Sequence, residues 1–125
     1  MKNLFVIILM LVSFPLYAHE MTPTYPKWRQ AYMDDLAVTT MHMFNRRSDV
    51  EYYEIAVFDE DWNPIPFVTS YTVFRLQYLE RTTFDVYIRE RDISRAEYIC
   101  SRSKMTEQNP SDTNISSMIC SRFKE

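Results

Sequence analysis

Two histidines, His19 and His42, are the side chains of this chain best suited to bind a transition metal. An amino-terminal histidine binds copper through its amino group and a ring nitrogen, and a second imidazole completes the site. His19 becomes amino-terminal if the chain is cleaved after Ala18. This arrangement makes a metal-dependent enzyme one hypothesis for the chain. His42, however, lies among strand-forming residues, and there the pattern favours a hydrogen-bonded structural histidine.

The acidic run from Asp59 to Asn63 has the D-x-D-x-N spacing that begins a calcium-binding loop. Asp59 and Asp61 would be its first ligands. The rest of the motif does not follow, because Pro64 stands where the loop needs glycine and Ser70 stands where it needs a bidentate glutamate. The pattern therefore favours a polar turn with solvated acids over a weak calcium site, and we expect no bound cofactor.

Cys100 and Cys120 are the two cysteines of the chain, so only one intrachain pairing exists. In an oxidising compartment the two are predicted to form a disulfide. It closes a loop of about 20 residues, which in the chain-entropy model stabilises the fold by about 3 kcal/mol. Neither cysteine lies in a C-x-x-C pair or beside a sequence-local histidine, as reactive thiols do. Because two histidines also leave few bases for a nucleophile, we predict that the protein is not an enzyme.

The chain contains no glycine, although average usage of about 7% would place about eight or nine in this length. Gly-rich phosphate loops, dinucleotide fingerprints and Gly-flanked nucleophile elbows are therefore excluded. Turn positions with positive φ must instead go to asparagine and aspartate. We expect them at Asn45, Asp49 and Asn63.

The first residues follow the pattern of a secretory signal, with Lys2, an apolar run from Leu4 to Val12 and a small residue at Ala18. The apolar run is about nine residues, well under the roughly 20 that a membrane-spanning helix needs. We therefore predict a cleaved signal peptide over residues 1–18. The rest, residues 19–125, is predicted to be one domain that is secreted or periplasmic and not held in a membrane.

The charge balance is mildly acidic, with 14 basic and 17 acidic residues over the full chain. Nucleic-acid binding needs a clustered basic excess, so no nucleic-acid partner is predicted. Arg46, Arg47 and the group from Arg89 to Arg91 form short clusters near acids. We expect these arginines to be solvated turn residues.

Residues Val50 to Val68 are the densest hydrophobic and aromatic run after the signal, and they predict a central strand, a polar turn and a return. Their β-branched and aromatic content favours strand over helix. Leu36 to Phe44 alternates in the same way, and the five residues between the two runs predict a hairpin. Further strands are predicted over residues 65–69, 73–79, 82–89 and 95–101. For residues 28–33 strand or coil is favoured over a helix opened by Pro26. About seven short strands without a long amphipathic helix predict an all-β sandwich.

Three segments carry a resemblance to known proteins: MHMFNRRSDVEYYEIAVFDEDWNPIPF, VFRLQYLERTTFDVYI and RAEYICSRSK. Together they resemble uncharacterised small secreted proteins encoded by marine bacteriophages. In hydrophobic pattern the chain is also similar to the N-terminal immunoglobulin-like domain of periplasmic pilus chaperones. The matching elements are a strand ending in Asn (Met41 to Asn45), a second strand (Tyr52 to Phe58) and a Pro-containing edge (Pro64 to Phe67). They are followed by an F-R-L segment (Phe74 to Leu76) and a V-Y-I strand (Val86 to Ile88).

The resemblance implies an immunoglobulin-like β-sandwich and strand-to-strand recognition of a protein partner. Pilus chaperones have two domains and hold a subunit's terminal carboxylate with basic residues in the cleft between them. In residues 19–125 we expect no second domain, and we assign no equivalent basic residue. The resemblance therefore does not imply the full chaperone cycle.

The aromatic residues carry the remaining functional signal, and Trp28, Trp62 and Tyr98 are the candidate binding residues. Ordinary cross-strand pairing is the alternative interpretation of such aromatics. We predict a secreted, non-enzymatic binding or assembly module whose exposed strand edge accepts an extended segment of a protein partner. The edges are expected in Thr22 to Trp28 and in the last clear strand, Arg95 to Lys104. The alternatives are a structural component of a phage virion and the metal-dependent enzyme described above.

Overall fold

The computed structural model describes residues 18–104 and 116–123 of the chain. Within these ranges the chain forms eight strands and one short 3₁₀ turn, Glu90–Asp92. The strands are β1 (Glu20–Thr22), β2 (Arg29–Gln30), β3 (Leu36–Phe44), β4 (Tyr52–Phe58), β5 (Val73–Arg75), β6 (Arg81–Arg89), β7 (Tyr98–Lys104) and β8 (Met118–Arg122). The chain is all-β, as the alternation of its sequence predicts.

The strands form two antiparallel sheets of four strands each. In the first sheet, β3 pairs along its whole length with β6, and the short strands β1 and β2 share its other edge. In the second sheet, the order is β5, β4, β7, β8. Each sheet therefore has two edges: β1 with β2 and β6 in the first sheet, and β5 and β8 in the second.

The core lies between the sheets and is filled by the inward residues of every long strand. Strand side chains alternate between faces, so one face of each strand supplies the core while the other faces outward. The strand residues packed there are Ala37, Met41, Met43, Tyr53, Ile55, Val57, Val86, Ile88 and Ile99. Leu76 and Ile65 join them from the connections. Burial of this apolar surface is the main favourable term that holds the two sheets together.

The predicted hairpin between β3 and β4 is wrong. β3 pairs with β6 and β4 pairs with β5 and β7, so residues 45–49 cross from one sheet to the other. The buried Asn45 side chain fixes this crossing, because its Nδ2 donates to the carbonyls of Val50 and Leu76, both at 2.8 Å. A buried tertiary contact, which no local turn sequence encodes, therefore decides the path.

The residues with positive φ also differ from the three predicted positions. Within residues 18–104 and 116–123 they are Asp35, Trp62 and Leu79. Asp35 follows the expected preference for aspartate, but the other two do not. The Leu79 N–H donates to the Asn45 carbonyl at 2.7 Å and the Trp62 N–H to the Asp59 carbonyl at 3.1 Å. Hydrogen bonds from the surrounding structure thus hold both residues where their intrinsic preference would not place them.

The last strand of the second sheet also differs from the prediction. The segment Arg95 to Lys104 contains β7, which lies between β4 and β8 and is not an edge. β8 follows later in the chain and forms the edge. The predicted strand over residues 65–69 is reduced to isolated bridges, of Pro64 with Phe58 and of Val68 with Tyr87.

The predicted signal peptide, apart from Ala18, lies outside the described residues, as do residues 105–115. In the part of the chain that the structure describes, no helix has the length and apolar character to cross a membrane.

Candidate functional site

The outer edge of the second sheet is formed by β8. Two backbone hydrogen bonds fix its register on β7, from the Ser103 N–H to the Ser117 carbonyl and from the Phe123 N–H to the Glu97 carbonyl, both at 2.9 Å. In an antiparallel pair, successive residues alternately bond the neighbour and point away from it. Every second residue of β8 therefore presents its N–H and C=O to the outside. These residues are Met118, Cys120 and Arg122.

The N-terminal segment packs beside this edge through β1, but the described residues give the edge one outward backbone hydrogen bond. The Arg122 N–H donates to the Thr24 carbonyl at 3.0 Å. Met118 and Cys120 have no outward backbone partner within residues 18–104 and 116–123, and the Met118 side chain is 52% exposed. Unpaired N–H and C=O groups of an edge strand are a template for a strand of another chain.

β8 is held firmly against β7 and the N-terminal segment. The disulfide joins Cys100 to Cys120, which lie directly opposite each other in the register, as the sequence predicts. At the far end, the Arg122 Nε donates to Glu97 Oε1 at 2.8 Å. Phe123, next to it, stacks on Trp28 with ring centroids 4.5 Å apart. An edge held in one geometry loses little conformational freedom when a partner binds.

His19 lies buried where β8 begins, and it joins the N-terminal segment to the second sheet. Its Nε2 is 2.8 Å from Ser101 Oγ, and its Nδ1 is 3.3 Å from Ser117 Oγ. The ring packs on Tyr53 with centroids 4.5 Å apart. Burial, with the Arg47 charge as a smaller cause, lowers the pKa of His19 to about 4. His19 is therefore neutral at neutral pH.

Arg47 lies next to this histidine and is not the solvated turn residue that the sequence predicts. It is buried and bonds Asp49 through two nitrogens, at 2.9 and 2.8 Å. Its neighbour Arg46 is exposed, as predicted, and pairs with Glu20 at 3.1 Å. Both arginines lie in the crossing between the sheets, but Arg47 is buried against Asp49, whereas Arg46 pairs with the exposed Glu20.

Asn45 anchors the other side of this polar cluster. Its Oδ1 accepts the Arg47 N–H at 2.8 Å and the Tyr53 hydroxyl at 2.6 Å. Burial raises the pKa of Tyr53 to about 12. The phenol therefore stays protonated and donates to Asn45, which gives this cluster a structural role beneath β8.

The structure brings together two of the three predicted binding residues. Trp62 stacks on Tyr98 with ring planes 1° apart and centroids 4.3 Å apart, and Phe58 packs beside them at 5.7 Å. Trp62 is 49% exposed, so this aromatic group lies on the outer face of the second sheet. Trp28 is elsewhere, against Phe123, and its Nε1 is buried without a hydrogen-bond partner among the described residues.

The four metal candidates fall in three separate places. His19 is buried as described above, whereas His42 is exposed and its Nδ1 lies 2.9 Å from Thr83 Oγ1 on β6. Asp59 uses its Oδ1 to accept the N–H groups of Asp61 and Asn63 at 2.9 and 2.8 Å. These hydrogen bonds lower the pKa of Asp59. Within residues 18–104 and 116–123 no three potential ligands from His, Cys, Asp and Glu converge.

The sequence did not identify Met118 and its neighbours as the edge. The signal was present but weak: a short, partly apolar segment leading into Cys120. Cys120 indicates a return to Cys100, but only the register of the two strands shows that the returning segment is the outermost strand.

Comparison with solved structures shows which fold this is. A chain of the structure of the Salmonella enterica SafA pilin in complex with the SafB chaperone superposes with a TM-score of 0.63 at 17% sequence identity over 88% of this chain. The E. coli chaperone DraB superposes with a TM-score of 0.62 at 18% identity over 85%. This chain spans about half of each, 54% and 53%. The fold is thus the immunoglobulin-like sandwich of these proteins, as the sequence resemblance implies.

No protein-family model and no curated protein matches the chain.

Proposed function

We propose that this protein is a non-enzymatic binding module that holds an extended segment of a protein partner along the free edge of β8. The observation that carries the proposal is the outward N–H and C=O groups of Met118 and Cys120 on a strand fixed by a disulfide. A partner strand placed there would continue the second sheet by backbone hydrogen bonds. This is the general mode by which an exposed sheet edge recognises a peptide.

The side chains at this edge favour a partner with apolar residues. Met118 is exposed on the outer face, and Cys120 places the disulfide beside it. An exposed apolar edge is an aggregation hazard that soluble proteins usually avoid. Its presence is consistent with an edge that a partner covers. The fold likeness to a structure that contains a chaperone and a pilin gives the proposal further support, because there too a sandwich of this kind assembles with another protein.

We also propose that the protein works in the periplasm or outside the cell, after removal of residues 1–18. The Cys100–Cys120 disulfide supports this location, because disulfides persist in oxidising compartments.

The test compares two substitutions at Met118. Met118→Pro removes the outward N–H without removing a bond to β7, whereas Met118→Ala keeps the N–H and removes the side chain. A photoreactive amino acid at Arg102, the cross-strand neighbour of Met118, reports on partners at the edge in the expressing cell. We expect a crosslinked protein in the parent and the alanine variant, and a loss of about tenfold or more with proline.

Each variant must unfold at close to the parent midpoint before its crosslinking is interpreted. Two results contradict binding at the β8 edge. The first is a partner that the Met118→Pro variant captures as well as the parent does, and the second is a partner captured only through a photoreactive group at the distant, exposed Tyr32.

A further inference from the structure

The flank opposite β8 is open. There β5 ends the second sheet and β6 ends the first sheet. A groove of about 720 Å³ lies between these two edge strands and is lined on one side by Tyr71 and Val73 and on the other by Thr83 and Asp85. We call it the β5–β6 groove. Its volume is in the range of about 300–1,000 Å³ that is typical of ligand sites in proteins.

The β6 wall of the groove has unpaired backbone groups. Val68 and Tyr87 exchange two hydrogen bonds of 2.8 Å on the side of β6 that faces away from β3. Thr69 Oγ1 donates to the Asp85 carbonyl on the same side, at 2.8 Å. Because outward residues recur at every second position, Thr83 also points its N–H and C=O outward. The described part of the chain offers these two groups no backbone partner.

The β5 wall has the same property. The Ile55 N–H donates to the Thr72 carbonyl at 2.9 Å, and the Leu76 N–H donates to the Glu51 carbonyl at 2.7 Å. These bonds direct the even-numbered residues of this segment toward β4. The odd-numbered residues of β5, Val73 and Arg75, therefore point their backbone groups away from β4. The groove is thus flanked by two open strand edges from different sheets.

The floor of the groove is aromatic. Phe74 and Phe84 are half-buried at the rim of the core, with ring centroids 5.8 Å apart. Around them Tyr71 is 72% exposed and Val73 is 42% exposed. An apolar side chain placed on this floor would remove aromatic surface from water.

The charged groups beside the groove are already paired within the protein. Arg75 Nε donates to Glu51 Oε2 at 3.0 Å. Asp85 accepts the Thr40 hydroxyl and lies 4.0 Å from an Arg29 nitrogen. A charged occupant would have to compete with these contacts, so the groove is complementary to an uncharged one.

We propose that the β5–β6 groove is a second binding site, which takes a short, uncharged, extended peptide segment of a protein partner. The backbone of the segment pairs with the open edges, above all at Thr83 on β6 and Val73 on β5. An apolar side chain of the segment packs on Phe74 and Phe84. β5 is three residues long, which at about 3.4 Å per residue gives a ladder of about 10 Å. The site is independent of the β8 edge, because the two lie on opposite flanks of the sandwich.

The test uses a synthetic probe and a pair of substitutions at Thr83. The probe is a fluorescent, acetylated and amidated pentapeptide that alternates threonine and valine around a central phenylalanine. Thr83→Pro removes the outward N–H without removing a bond to β3. Thr83→Val keeps the N–H, and both variants lose the contact with His42. Fluorescence anisotropy measures the binding, and the unfolding midpoint confirms that each variant is folded.

We expect the probe to bind the parent and Thr83→Val with similar affinity, and to bind Thr83→Pro at least about tenfold more weakly. An analogue methylated on the backbone nitrogens should also bind at least about tenfold more weakly. Met118→Pro should leave probe binding unchanged, which separates this site from the β8 edge.

Three results overturn the proposal. The first is no binding of the probe up to about 1 mM. The second is equal binding of the parent and Thr83→Pro, or of the probe and its methylated analogue. The third is a parent protein that sediments as a dimer while Thr83→Pro is monomeric, because a second copy of this chain would then occupy the groove.

Discussion

The buried His19 should make the stability of this protein fall as the solution becomes mildly acidic. Its pKa is lowered from about 6.5 to about 4 in the folded protein, chiefly by burial. The unfolded chain therefore binds more protons than the folded chain between these two values. The contribution of His19 to stability is fully present above its pKa in the unfolded chain, and it is lost as the pH falls toward its pKa in the folded protein. Between about pH 7.5 and about pH 5, this difference amounts to about 2 kcal/mol of unfolding free energy.

The surroundings of His19 explain why protonation is unfavourable. Arg47 already contributes a positive charge next to the ring, and Tyr53 packs against the ring with its hydroxyl committed to Asn45. The Ser101 hydroxyl can accept a hydrogen bond from the His19 ring or donate one to it, but it carries no charge that could balance a protonated imidazole. The depressed carboxyl pKa values, such as that of Glu54 beside Lys104, affect stability at lower pH than this window.

Urea unfolding of the oxidised protein at about pH 7.5 and about pH 5 measures the effect. The parent should lose about 2 kcal/mol between the two conditions, and His19→Gln should lose less than about 0.5 kcal/mol. His42→Gln is the matched control, because His42 is exposed on the first sheet, and it should behave as the parent does. Equal pH dependence in His19→Gln and the parent would refute this account.

Two further substitutions test what holds the sandwich together. Replacing both Cys100 and Cys120 with serine should lower the unfolding free energy by about 3 kcal/mol in the chain-entropy model, and reduction of the parent should give the same loss in urea. Tyr53→Phe removes the hydroxyl that donates to Asn45 Oδ1 and should cost about 1 to 1.5 kcal/mol. That cost should be smaller than the cost of Asn45→Ala, which also leaves the Arg47 N–H without its acceptor; a larger loss in Tyr53→Phe contradicts the assigned network.

Local pattern was enough to predict the long strands β3, β4 and β6 and their faces. The predicted strand Leu36 to Phe44 begins and ends at the same residues as β3. The alternation within β4 buries Tyr53, Ile55 and Val57. These features follow from a side-chain period of two, which the sequence displays directly. The pairing of Cys100 with Cys120 was also predictable, because the chain has no other cysteine.

The positions of the candidate binding residues were predictable only in part. The sequence indicated aromatic side chains with exposed surface, and the exposed Trp62 does stack on the half-buried Tyr98. Trp28 belongs instead to the contact that holds the end of β8, because Phe123 reaches it from far along the chain. Proximity of this kind depends on which strands become neighbours.

The sequence by itself determined an all-β chain, the inward and outward faces of its long strands, its disulfide and the absence of any glycine-dependent site. The tertiary structure decided which strand lies at each sheet edge, how the chain crosses between sheets at Asn45, and where Arg47 is buried. Local periodicity sets the conformation of each segment, whereas strand order is set by contacts between residues distant in the chain. The free edge of β8 and the β5–β6 groove depend on that order, so neither could be read from the sequence.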